Sequence, residues 1–197
     1  MIYAGIRAVN QEIDYIVIFL HFLSVFCVRF GLIFIVIVNM IILESSIIFS
    51  IKRQNRFIIL YGILLFVGML ILIYPFGFVT IQDTSGYAQW RPEFFLFVVF
   101  METGFAIIPI FYTSFKIYSS FTSMELKKKW FYYLMGSLGL AIFNLYPVDV
   151  LNLLTWIFRN KNEEILMISR SIITVIGVSV ILWVSLMYYG IGSKLKQ

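Results

Sequence analysis

From Tyr15 to Ile191 the chain is a succession of apolar blocks, each at or beyond the length that carries a helix across a bilayer. Such a helix needs about 20 mostly apolar residues, because a backbone surrounded by lipid must satisfy its own N–H and C=O groups. Four blocks meet that requirement directly: Phe57–Val79, Glu93–Phe115, Trp130–Val150 and Ile165–Ile191. A longer block, Tyr15–Ile51, is interrupted only by His21, Arg29, Asn39 and Glu44. It exceeds one helix at modest tilt, yet it lacks the turn that a hairpin of two spans requires.

Counting depth from the basic residues divides this block. Arg170 precedes Lys194, and Arg29 precedes Lys52, by nearly the same number of residues. At about 1.5 Å per residue each arginine stands about 35 Å from its lysine. This places Arg29 and Arg170 near the interface opposite the lysines, and Asp149, far along the block that starts at Trp130, at the same level. The first span is therefore expected at residues 30–51, with an extra apolar helical segment before it. Tyr15–Val28 as a short sixth span is the alternative. The expected fold is an all-α integral membrane protein, a helical bundle of five transmembrane helices with spans at 30–51, 57–79, 93–115, 130–150 and 165–191.

Charge then orients the bundle. Lys52, Arg53, Arg56, Lys116, Lys127, Lys128, Lys129, Lys194 and Lys196 collect on one face with Glu125 as their only acid. The other face carries Arg7, Arg91, Arg159 and Lys161 among Glu12, Asp14, Asp83, Glu93, Glu163 and Glu164. The positive-inside rule puts the amino terminus outside and the carboxyl terminus in the cytoplasm. Thr122 and Glu125 have the spacing of a capping box for the fourth helix. Pro92 and Glu93 suit the first turn of the third.

Composition removes several function classes. The chain is 61% hydrophobic and 13% charged, against about half and a quarter in soluble domains, so no stretch is polar enough for an extramembrane catalytic domain. The net charge of +5 would fit nucleic acid only as a basic patch on a folded face, and here the bases lie between apolar blocks. One Cys, Cys27, and one His, His21, exclude an internal disulfide and argue against a structural metal. No Gly-rich phosphate loop, zinc-protease helix or nucleophile elbow occurs. No cofactor is implied.

What remains are polar groups inside apolar helices, where a charge costs several kcal/mol and usually faces protein or a wet cavity. Glu102 lies about 13 Å inside the third helix, with Val98, Phe105 and Ala106 at helical spacing around it. It is the candidate proton or cation site, or a carboxyl bonded to a neighbouring helix. Glu44, Asn39 and Asn144 are further intramembrane candidates. Arg29, Asp149 and Arg170, on one level, could hold an anion or stitch the first, fourth and fifth helices together. Small residues that let helices approach closely are Gly136, Ser137, Gly139 and Ala141 on the fourth helix, and Thr174 and Gly177 on the fifth. His21 reads as a hydrogen-bonded residue of the interface.

Met124–Trp130 with Gly136 and Gly139, Arg170, and the ending Tyr188-Tyr189-Gly190-Ile191-Gly192 resemble multi-pass membrane proteins of archaea and, through them, the heptahelical input modules of sensor kinases. The resemblance is one of hydrophobic rhythm and carries over no functional residue. The short loops and the aromatic, small-residue-rich helix surface point to a non-enzymatic sensor module or an accessory subunit. The expected partners are the lipid bilayer and other membrane subunits or a second copy. A small transporter or channel subunit working through Glu102 is the second reading. A lipid-modifying enzyme is the third, for which Asp149, Arg29 and Arg170 lack a nucleophile.

Overall fold

A computed structural model describes residues 14–81, 88–158 and 163–192. Four helical rods are long and apolar enough to cross a membrane, and a fifth helix contributes a shorter apolar stretch, Val175–Gly190. By the length and composition of these helices the chain is a multi-pass membrane protein. Its apolar surface agrees, since Leu96, Phe100, Ile108, Val175, Val178 and Ile181 are all more than half exposed.

Helix α1, Asp14–Ile48, is continuous over 35 residues, or about 52 Å. The apolar amino-terminal segment is thus a direct extension of the first span rather than a separate element, and no break near Val28 makes room for a sixth. Phe22, Phe26 and Phe30 stack along it, and Phe22 and Phe26 meet Phe66 of the next helix edge-on.

Helix α2, Ile51–Ile73, follows after only Phe49 and Ser50. Lys52, Arg53 and Arg56 therefore lie in its first turns, not in a loop, because straight-chain basic residues are good helix formers. The helix also ends six residues short of the expected Val79. Pro75 falls in the turn just beyond it, where a proline cannot continue the helix. Gly77, at φ 59°, reverses the chain so that the Phe78 N–H donates back to Leu72 at 3.0 Å. Strands β1, Val79–Ile81, and β2, Ala88–Trp90, then pair antiparallel, with Val79 opposite Trp90.

The third rod is α3, Pro92–Glu102, a π turn, Thr103–Ile107, and α4, Ile108–Ser120. The fourth is α5, Met124–Leu138, a π turn, Gly139–Leu145, and α6, Tyr146–Ile157. Both π turns have the same cause. Pro109 and Pro147 lack an N–H, and their rings press on the carbonyl four residues back, at Phe105 and Phe143. A wider turn at that place absorbs the conflict without breaking the rod. The α5 cap is Ser123, with no side-chain cap bond. The cap thus falls one residue beyond the expected Thr122, and Glu125 pairs with Lys129 one turn on, at 2.9 Å.

Helix α7, Glu163–Gly192, packs along α5. A Cβ on Gly136 would stand 2.6 Å from the Trp183 carbonyl oxygen, and one on Gly190 would stand 2.6 Å from the Tyr133 backbone nitrogen. Glycine at these points is what lets the two backbones touch. Gly139 accommodates the Trp183 ring in the same way, and Ser137 and Ala141 are buried. Gly177 is different: it is exposed, with nothing within 4 Å of an added Cβ, so it makes no close packing with the described residues. The side chains of Thr174, Arg170 and Asn144 lie outside the described residues.

Candidate functional site: a buried arginine and two carboxylates

Three charged side chains from three rods meet inside the bundle. Arg29 comes from α1, Glu102 from the last residue of α3, and Asp149 from the first turn of α6. Arg29 is 4% exposed, and Glu102 and Asp149 are 0% exposed. The Arg29 Nε stands 3.3 Å from Glu102 Oε2, while its Nη2 donates to Asp149 Oδ1. Depth counting puts Arg29 and Asp149 at an interface and Glu102 alone inside the membrane. The structure pairs Arg29 with Asp149, as their shared level allows, and brings Glu102 to the same level inside the bundle. Helix continues beyond each of them: α1 runs about 22 Å past Arg29 to Asp14, and α6 about 12 Å past Asp149 to Ile157.

The π turns contribute to this meeting. The first begins at Thr103, directly after Glu102, and the second ends just before Tyr146, one turn from Asp149. Each alters the register between the carboxylate and the other half of its rod. Such turns are frequent at functional sites. Beside them, the Thr103 hydroxyl donates to Val99 O at 2.6 Å and meets the Tyr146 hydroxyl. The Tyr61 hydroxyl of α2 donates to the Arg29 carbonyl at 3.2 Å, bracing α1 at the level of the cluster. Tyr61, Thr103 and Tyr146 are the residues that sequence reasoning passes over. A hydroxyl at mid-span was the available signal, most plainly Thr103 adjoining Glu102.

Two further polar layers flank the cluster. Toward the strand pair, Trp90 Nε1 donates to His21 Nε2 at 2.9 Å, tying the hairpin to α1. Toward the lysine-rich end, Asn39 Nδ2 donates to Ser114 Oγ at 2.7 Å and Thr113 Oγ1 at 3.1 Å. Trp130 Nε1 donates to Ser114 O at 2.9 Å, so α1, α4 and α5 share one layer. Glu44 does not join the cluster. It pairs with Arg53 of α2 at 2.8 Å near the surface.

The chemistry of the cluster follows from its count of charges. Two carboxylates face one guanidinium, and Glu102 Oε1 and Asp149 Oδ2 accept no hydrogen bond from the described residues. With both acids ionised the described side chains of the cluster carry one excess negative charge in a medium where uncompensated charge is costly. Among the described residues no group of three His, Cys, Asp or Glu side chains could hold a metal ion. Cys27 is exposed on the outer face of α1.

No family model, curated protein or solved structure matches this chain. The assignment of a role rests on the cluster itself.

Proposed function

We propose that this protein is a small sensor- or carrier-type membrane module that takes one proton or monovalent cation into the Arg29–Glu102–Asp149 cluster. The observation that supports it is the buried two-to-one ratio of acids to base, with carboxylate oxygens left unpartnered among the described residues. A purely structural ion pair needs one acid for one base. The second acid supplies a site whose charge changes on loading, at a point where three rods and both π turns converge. Loading relaxes the pull of Glu102 on Arg29 and so changes how α1 sits against α3 and α6. A sensor role agrees with the resemblance to kinase input modules. The proposed topology has five spans, with the carboxyl terminus on the lysine-rich cytoplasmic face.

Infrared difference spectra of the protein in nanodiscs test this reading. A carboxyl C=O band that changes between acid and alkaline buffer, or on adding sodium, and is lost in both Glu102→Gln and Asp149→Asn is the expected result. A folded protein whose carboxyl bands respond to neither condition defeats the proposal and leaves the cluster as a structural clamp.

An accessory-subunit role has one observation of its own. Gly177 lies open amid Val175, Val178 and Ile181 on the outer face of α7, a surface on which another helix could lie closely. Loss of a co-purifying chain in Gly177→Leu, with the fold intact, is the outcome that favours it.

A further inference from the structure

A second candidate site lies beside the charged cluster. A groove of about 400 Å³ runs between α1, α2 and the third rod, within the range of sites that hold small ligands. Ile33, Val36, Ile37 and Tyr61 make its buried floor. Ile108 and Tyr112, 58% and 62% exposed, form a rim that opens sideways, toward the surface where the apolar helices would meet lipid. Its walls are apolar along almost their whole length. Charge appears only at the lysine-rich end, where Glu44 and Lys116 line it.

The two charges at this mouth are not equivalent. Glu44 is engaged by Arg53 at 2.8 Å. Lys116 makes no ion pair among the described residues, and its Nζ stands 5.5 Å above the Tyr112 ring. Lys52 and Arg56 belong to the adjoining first turns of α2, so the mouth is net positive. A ligand that fits must be apolar over most of its length, reach the site from within the bilayer, and end in an anion at headgroup depth.

We infer that the groove binds one chain of an anionic phospholipid, with its phosphate at Lys116. The inference stands whether or not the charged cluster takes up a cation. The seat also touches that cluster, because Tyr61 forms part of the floor and its hydroxyl holds the Arg29 carbonyl. The π turn adds a gap in the wall at Gly104, where an added Cβ meets nothing within 4 Å.

The test is lipid retention by native mass spectrometry after reconstitution in phosphatidylcholine vesicles doped with phosphatidylglycerol. The wild-type chain is expected to keep one phosphatidylglycerol through detergent extraction. Gly104→Phe, which fills the groove, should lose it. Leu96→Phe, which adds a ring at an exposed position of α3 outside the groove, should keep it. Lys116→Gln, at an exposed position, should weaken retention by about fivefold without disturbing the fold. Retention of the two lipids at their bulk ratio, or equal retention by wild type and Lys116→Gln, overturns the inference. Should Gly104→Phe not fold, Lys116→Gln alone decides.

Discussion

Arg29 is the residue on which the interior depends most. Removing one partner of a buried ion cluster leaves uncompensated charge, at a cost of about 3–5 kcal/mol. Arg29→Met strands two carboxylates and should lower the unfolding free energy in mixed micelles by that amount. Replacing the whole cluster, with Arg29→Met, Glu102→Gln and Asp149→Asn together, should recover most of the loss, since uncharged groups of similar shape need no counter-ion. Single variants whose losses simply add would show that the three side chains do not act as a unit. Asn39 is a milder case. Its bonds to Thr113 and Ser114 join neutral groups, and such interhelical bonds in membranes contribute about 0.6 kcal/mol on average. Asn39→Leu should therefore be tolerated far better than Arg29→Met in the same unfolding assay.

At the scale of elements, the π turns and the glycine contacts carry distinct burdens. Deleting one residue from Thr103–Ile107 would rotate Pro92–Glu102 by about 100° relative to α4, turning Glu102 away from Arg29. The deletion should match Arg29→Met in unfolding free energy while helix content by circular dichroism is kept. Wild-type stability in the deletion would mean that the turn does not set the register. On the α5–α7 seam, Gly136→Leu must move the Trp183 and Met187 backbone and should cost about 1–3 kcal/mol through overpacking. Gly177→Leu, facing open space, should leave unfolding unchanged. Sequence alone makes Gly136 and Gly177 look alike, because both are small residues on a helix face. Which of them meets a neighbour is decided by how the rods are arranged, and no local pattern records that.

For the molecule as a whole, the lone thiol of Cys27 gives a direct check on immersion. It is exposed yet lies within the apolar stretch Ile16–Glu44. In membranes it should react with an uncharged, lipid-soluble maleimide and resist a charged one; equal labelling by both would place it in water. The helices were legible in the sequence because apolar length acts locally. The level that Arg29 shares with Asp149 was legible too, although the two lie 120 positions apart; the arrival of Glu102 at that pair was not. Glu102 stood out as an isolated acid because its partner belonged to a block whose helix had been started too late. That continuous first helix has one more consequence. Its apolar stretch, 29 residues long, measures about 43 Å against a hydrocarbon core of about 30 Å. A free helix relieves such excess by sliding or tilting, but this one is fastened near its middle by Arg29 and again by Asn39. The surrounding lipid must then adjust instead, so the protein should be more stable in long-chain bilayers than in short-chain ones and should settle in the thicker membranes of its cell.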